Sequence, residues 1–382
     1  MSLNNCFAAL YIGPDKLGLI KAQASQNGIN IIKEQYQNYD GYDNAGFSEG
    51  SKFALSELLS KENLAECDRL IIGIPQEFCA HTAGEAHLRL PQAVQITKKQ
   101  LNDLLADYAQ TIVKDYHCIE KAALRYYEAN GLAVEAPVGL ITKELCADVS
   151  ATYVKESVLN VLKNLCPDIP IIYTGIINAL AKEFIPKSAR AKDALIIAIG
   201  YAETTLACAQ GEGIKHALHF SLGCADVICD LIKVLNIGYL HAAALFDVLD
   251  LAINPSSTDK YSINVKGDKF EYDIAKVNAI ARARFEQIFD CCLEAMLKPG
   301  YDSQDVYLVC RGFARDRGLD EIAGGKLKKD IVFAMSAASF FTDRPEEEAL
   351  IKYAGSFTPL PEKAKAAGSK FISLFRRKRV GK

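Results

Sequence analysis

The sequence predicts an α/β protein of two domains, and three observations carry that expectation. At 382 residues the chain is longer than the roughly 250–300 residues at which a single hydrophobic core stops growing. A strand, glycine turn, strand pattern occurs twice, around Gly13 and again around Gly200. Elsewhere, apolar strand-like runs alternate with helical periodicity. Half of the residues are hydrophobic and 24% are charged, as in a folded globular chain rather than a disordered one.

Taken in order, residues 7–12 form an apolar strand that breaks at Gly13-Pro14-Asp15-Lys16 and resumes over 17–24. Residues 36–51, rich in Gly, Asn and Asp, read as a surface loop. A helix over 52–64 and a strand over 69–74 follow, closing at Pro75. From 76 to about 165 the pattern predicts short polar strands and two amphipathic helices. Thr97 and Gln100 offer a capping box ahead of Leu101, Leu104, Leu105 and Tyr108, and the second helix spans 151–165. A strand over 169–173, a helix over 175–183 and a hinge over 186–192 lead to the second glycine turn. There the run 195–199 breaks at Gly200, resumes over 204–209, turns at 211–213 and continues through 214–220, after which Gly223 opens a helix. Backbone N–H groups at such a turn and at a helix N-terminus are suited to cradling phosphate. Helices over 240–251 and 274–297, a strand pair around 261–272 and a last strand over 306–310 complete the body.

Ala198-Ile199-Gly200-Tyr201-Ala202-Glu203-Thr204-Thr205 resembles the second phosphate loop of the actin-like ATPase superfamily, Asp-Ile-Gly-Gly-Gly-Thr-Thr-Asp. The helix opening Gly223-Cys224-Ala225-Asp226-Val227-Ile228-Cys229-Asp230-Leu231 resembles the family's Gly-Gly-Asn-His-Val-Thr-Asn-Asp-Ile. Residues 11–16 resemble its first phosphate loop, with Gly13 and Lys16 retained. Residues 94–108, VQITKKQLNDLLADY, look like the small inserted subdomain of the bacterial cell-division family FtsA. That resemblance implies an actin-like (ribonuclease H-like) two-domain fold with a small FtsA-type inserted subdomain. It divides the chain into a first domain (1–75 plus 166–190), the insertion (76–165) and a second domain (191–354) that includes a partner-binding subdomain at about 241–304. A linker (355–368) and an amphipathic membrane-targeting tail (369–382) follow.

The resemblance also shows what the chain lacks. Hydrolysis in the superfamily uses magnesium held through waters by carboxylates at the ends of the two loop strands, and those positions are Tyr11 and Ala198. Family glycines are replaced by Tyr201, Ala202, Arg311 and Phe313, and the nucleoside-contacting Ala-Glu-x-x-Lys run is Ala242-Ala243-Ala244-Leu245-Phe246. No catalytic residue, no metal site and no hydrolysis are therefore expected. The positions left for a nucleotide are Gly13, Lys16, Gly200, Glu203, Thr204, Gly223, Asp230 and Gly312, with ATP the one cofactor the resemblance allows. The competing expectation is an active ATPase whose displaced metal is held by Glu203, Asp15 or Asp230.

The twelve cysteines are scattered without a Cys-x-x-Cys, which reads as reduced cysteine in a cytosolic protein and argues against zinc. No signal-peptide pattern opens the chain, and no apolar run reaches the ~18 residues of a spanning helix. Residues 369–382 carry six basic and no acidic side chains, which leaves −9 on the rest of a chain whose net charge is −3. In that tail Phe371, Ile372, Leu374 and Phe375 fall at helical spacing ahead of Arg376, Arg377, Lys378 and Arg379, a pattern suited to lying in an anionic lipid surface.

The expected function is that of an FtsA-like peripheral adaptor on the cytoplasmic face of the cell membrane, self-associating into filaments, with no nucleic-acid partner. The resemblance implies an FtsZ-type filament as its partner, whose C-terminal peptide would meet Arg282 and Arg284. Surface ion pairs with Glu286 or Asp290 are the plainer role for those arginines. A PilM-like pilus-assembly scaffold is the alternative. Deleting residues 371–382 is expected to abolish co-sedimentation of the chain with anionic liposomes, and undiminished co-sedimentation would refute the membrane role of the tail.

Overall fold

The computed structural model describes residues 5–25, 28–43, 46–110, 113–166, 168–254, 256, 259–301, 303, 305–313, 317–334, 339–341 and 343–357. The tail expected to bind a membrane, Phe371, Ile372, Leu374, Phe375, Arg376, Arg377, Lys378 and Arg379, lies outside these residues, as does all but the start of the expected linker.

The chain begins with an antiparallel meander, β1 (Cys6–Ile12), β2 (Lys16–Ser25) and β3 (Gly28–Asn38). β1 is buried along its whole length, as expected of a central strand with both faces covered. The segment read as a loop therefore begins inside a strand, and it holds a small ribbon, β4 (Tyr42–Asp43) with β5 (Gly46–Phe47). Helix α1 (Glu49–Leu58) starts earlier than expected because Ser48 caps it, accepting from the Ser51 N–H. Then β6 (Arg69–Ile74) joins β1 in parallel.

The insertion is built from long strands rather than the short ones expected. They are β7 (Cys79–Gln95), then helix α2 (Lys98–Ala109), β8 (Tyr116–Glu128), β9 (Ala133–Val134) and β10 (Ile141–Lys155), in the antiparallel order β7-β10-β8-β9. Thr97 and Gln100 form the expected capping box. Leu101 and Leu104 of α2 cover Leu145, Ala147 and Val149 on one face of the sheet. The second helix differs from expectation. Residues 151–155 complete β10, paired with β7 and β8, since Thr152, Tyr153 and Val154 favour a pleated surface. Helix α3 (Glu156–Leu165) follows and buries Val158, Leu159 and Leu162 against Leu55 and Leu58 of α1. The insertion thus ends with β10, and α3 belongs to the first domain.

β11 (Ile171–Gly175) and α4 (Ile176–Phe184) complete the first sheet in the order β11-β6-β1-β2-β3. The second domain repeats this plan. Its meander is β12 (Ala194–Ile199), β13 (Thr204–Gln210) and β14 (Gly213–Phe220). Then come α5 (Cys224–Leu235), α6 (Tyr239–Val248), the hairpin β15 (Lys260–Val265) and β16 (Asp268–Asp273), and the long α7 (Ile274–Met296). β17 (Asp305–Cys310), α8 (Leu319–Leu327) and β18 (Ile331–Phe333) give the order β14-β13-β12-β17-β18. Finally α9 (Pro345–Ser356) returns to the first domain, placing Leu350, Ile351 and Ala354 in one core with Phe7, Ala9, Ile177 and Leu180. The second domain therefore stops before residue 345 rather than at 354. The same core includes Ile196, Ala207 and Val309 of the second sheet, so helices α4 and α9 join the domains.

A second junction lies at the β13–β14 turn, which docks on the insertion. The Glu212 N–H donates to the Ala123 carbonyl at 3.2 Å. The expected hinge over 186–192 is instead a bonded corner, with buried Arg190 donating to the carbonyls of Ile185 and Gly211. Gly211 has φ +54°, and a Cβ there would stand 2.2 Å from the Leu124 carbonyl oxygen. Gly211→Ala is expected to cost about 2–4 kcal/mol in a denaturant melt, combining a left-handed backbone with overpacking. Gly131→Ala, at φ +83° but in open space, should cost only the backbone part, about 1 kcal/mol.

Candidate functional site: the interdomain cleft

The two glycine turns face one another across the cleft, as the sequence reading requires. The first closes through a Gly13 N–H to Lys16 carbonyl bond of 3.0 Å, and the second through a Gly200 N–H to Glu203 carbonyl bond of 2.8 Å. Tyr11, Ile12 and Pro14 from the first and Gly200, Tyr201 and Glu203 from the second line one cavity of about 40 Å³. That is room for about three waters.

The backbone donors at the start of α5 are already used. At the start of α5 the Cys224 N–H donates to the Gly200 carbonyl at 3.0 Å and the Ala225 N–H to the Tyr201 carbonyl at 2.7 Å. Asp226 turns its carboxylate back onto the Gly223 N–H at 2.9 Å, taking the place at the positive helix end that suits an anion. Gly223 is where it is because a Cβ would sit 2.5 Å from the Tyr201 carbonyl oxygen. Buried Thr204 gives its hydroxyl to the Leu222 carbonyl at 2.7 Å.

Side chains fill the rest. Tyr11, 3% exposed, folds back over the first turn, its ring 2.6 Å from where a Cβ of Gly13 would be. Arg311, one residue past β17, is 7% exposed. Its Nη1 donates to Glu346 Oε2 at 2.9 Å and to Glu347 Oε2 at 2.9 Å, while Nη2 donates to Glu347 Oε1 at 3.0 Å. The Tyr11 hydroxyl lies 3.4 Å from Nη1, and the guanidinium stands 5.1 Å from the centre of the Tyr11 ring. Both glutamates open α9, where Pro345 at the first position and acidic residues in the first turn suit a helix start. Arg311 thus belongs to the second domain and its counter-charges to a helix on the first.

On the base side, Phe246 would lie 2.6 Å from a Cβ at Gly312, whose φ is +75°, and Phe313 is buried between Phe246 and Phe285. An outer cleft of about 200 Å³ remains, lined by Lys16, Tyr201, Tyr239, Phe246, Arg311 and Arg344 among others. Lys16 stands over the Tyr36 ring at 5.0 Å. The residues present do not fit a nucleotide triphosphate with its metal. The N–H donors at the start of α5 are spent, the Tyr11 ring covers the first turn, and Glu346 and Glu347 hold a guanidinium where the superfamily's carboxylates would hold a metal ion.

Glu203 faces this cavity with Glu77 and Glu346 near it. Burial, reinforced by those two carboxylates, pushes its pKa from about 4.5 up to about 7. Burial also raises Glu346, although Arg311 opposes it. Asp230 is elsewhere, accepting both Arg284 Nε at 2.7 Å and Nη2 at 2.9 Å. Arg284 also holds Gln287 at 2.6 Å, and Arg282 donates to the Leu251 carbonyl at 3.0 Å. Arg284 therefore pairs with Asp230 rather than with the expected Glu286 or Asp290, and Asp290 pairs with Lys326. Glu346 and Glu347 were missed in the sequence reading, although an arginine at the end of an apolar strand signals a need for buried counter-charge.

No family model matches the chain, and no curated protein does. Among solved structures it is similar to a chain of the PilM–PilN type IV pilus biogenesis complex, with a TM-score of 0.54 and 14% identity over 94% of this chain and 99% of that one. It is also similar to MreB5 of Spiroplasma citri bound to ADP, with a TM-score of 0.53 and 11% identity over 93% and 98%. The protein has the actin-like ATPase fold. At these identities the likeness is one of fold.

Two outcomes follow from the cleft. Arg311→Ala leaves Glu347 buried without its partner and is expected to destabilise the chain by about 3–5 kcal/mol in a urea melt, with Glu347→Gln added to it restoring part of the loss. The proton held by Glu203 stabilises the fold fully below about pH 4.5, and that contribution is lost as pH rises through about 7. Glu203→Gln should flatten this decline and add about 1–2 kcal/mol at pH 8, less than the full shift because the group keeps contact with the cleft.

Proposed function

We propose that this protein is a non-hydrolysing actin-fold adaptor, its nucleotide cleft replaced by a permanent internal ion-pair cluster. The observation that carries the reading is Arg311 held by Glu346 and Glu347 over Tyr11, because it places a buried ion-pair cluster beside the two turns and ties the domains together. The amphipathic tail supports attachment to an anionic membrane surface from the cytoplasmic side, and self-association would gather individually weak tails on that surface.

For the partner, the FtsA-like features of the sequence favour an FtsZ-type filament, engaged through its acidic C-terminal peptide at the subdomain containing α7. Arg284 would have to exchange Asp230 for that peptide, so Arg282 and the neighbouring helix face carry more of the contact. A second reading, a pilus-assembly scaffold, is favoured by the similarity to a PilM–PilN complex along nearly the whole of both chains. Peptides representing the two partner classes, titrated onto the full chain by fluorescence anisotropy, separate these readings.

The adaptor reading is tested by calorimetry of the full chain with ATP and magnesium, alongside a phosphate-release assay. The expected outcome is neither binding heat nor release. Magnesium-dependent binding accompanied by turnover would overturn it.

A further inference from the structure

The outward face of the insertion carries a set of side chains that neither the cleft nor the fold accounts for. The β7–β10 register places Cys146 directly opposite His87 and Glu144 opposite Arg89. Residues 144 and 146 are two apart on one strand and so share a face, the face opposite to Leu145 and Ala147, which pack towards α2. His87 Nδ1 is 3.2 Å from the Cys146 sulfur. The donor atoms of His87, Glu144 and Cys146 all lie within 4.8 Å of one another. Glu85 Oε2 is 3.8 Å from His87 Nε2.

We propose that His87, Cys146 and Glu144 form a zinc site, with the fourth position open to water. Zinc bonds of about 2.0–2.3 Å in a tetrahedron put neighbouring ligand atoms about 3.5 Å apart. The His87–Cys146 pair is already near that spacing, and partly exposed Glu144 has only to swing inward. One sulfur, one imidazole nitrogen and one carboxylate oxygen suit a borderline ion such as zinc better than magnesium or calcium. A thiolate and a carboxylate balance its two charges.

The site is also held in place. Cys146 is 5% exposed, fixed in the ladder between β7 and β8, where it lies opposite Tyr127. Its solvent-side neighbours, His87 and Glu85, are open enough to admit an ion. Arg89 donates to one oxygen of Glu144 at 3.0 Å and orients the carboxylate as an outer partner does at a metal centre. No Cys-x-x-Cys spacing marks such a site in the sequence. Here the ligands come from two strands paired across the sheet.

The test uses the untagged full chain, reduced and stripped of metal with a chelator, then titrated with cobalt(II) as a spectroscopic stand-in for zinc. Expected are a thiolate-to-cobalt charge-transfer band and tetrahedral visible bands that saturate at one equivalent and are displaced by zinc. Cys146→Ser should abolish the charge-transfer band, and His87→Ala should weaken cobalt binding at least about tenfold. Cys118→Ser, an exposed thiol on the adjacent strand, should leave the titration unchanged. Absence of the band in the unaltered chain, or its survival in the Cys146→Ser variant, overturns the assignment.

Discussion

A guanidinium taken out of water costs several kcal/mol unless its hydrogen-bonding fork is matched. The organisation of this molecule follows from how Arg311 meets that demand. Its backbone extends the second sheet, since its N–H donates to the Ile199 carbonyl. Its side chain reaches a carboxylate pair that opens a helix packed on the first sheet. Neither domain can satisfy the group alone. The contact forms only when both halves are folded and aligned, so it acts as a check on their relative placement. The extra negative charge is accommodated in the same cavity, where burial raises the pKa values of Glu346 and Glu203.

Around that contact the fold is a duplication. Each half lays three antiparallel strands beside two parallel ones, and each has a glycine turn at the end of its central strand. The symmetry brings the two turns face to face and creates the cleft whether or not anything is bound there. In this chain the space is taken up by its own side chains, and the α5 N–H groups are satisfied by the neighbouring turn and by Asp226. The hairpins and helix that frame the two turns also make the core of each half.

This division explains what was legible in the sequence. Strands such as 195–199 and 204–209, the Thr97 capping box and the long helix beginning near 274 were readable because local periodicity and capping chemistry set them. Tyr11 and Ala198 were legible as the positions where the family resemblance would put metal-binding carboxylates. The partners of Arg311 were not readable, since Glu346 and Glu347 are 35 and 36 residues away in sequence and only the return of α9 to the first sheet brings them near. Residues 151–165 misled for a related reason. Their apolar spacing fits a helix as well as a strand, and pairing with β7 and β8 decided that the first five residues are strand.

The docking of the β13–β14 turn on the insertion has a mechanical consequence. Together with the shared helices α4 and α9 and the Arg311 cluster, it pins the two halves at separate places, and a body pinned in this way does not scissor about a single axis. Rotating one half against the other would have to break the Glu212–Ala123 bond and the Arg311 pairs as well as repack the shared core.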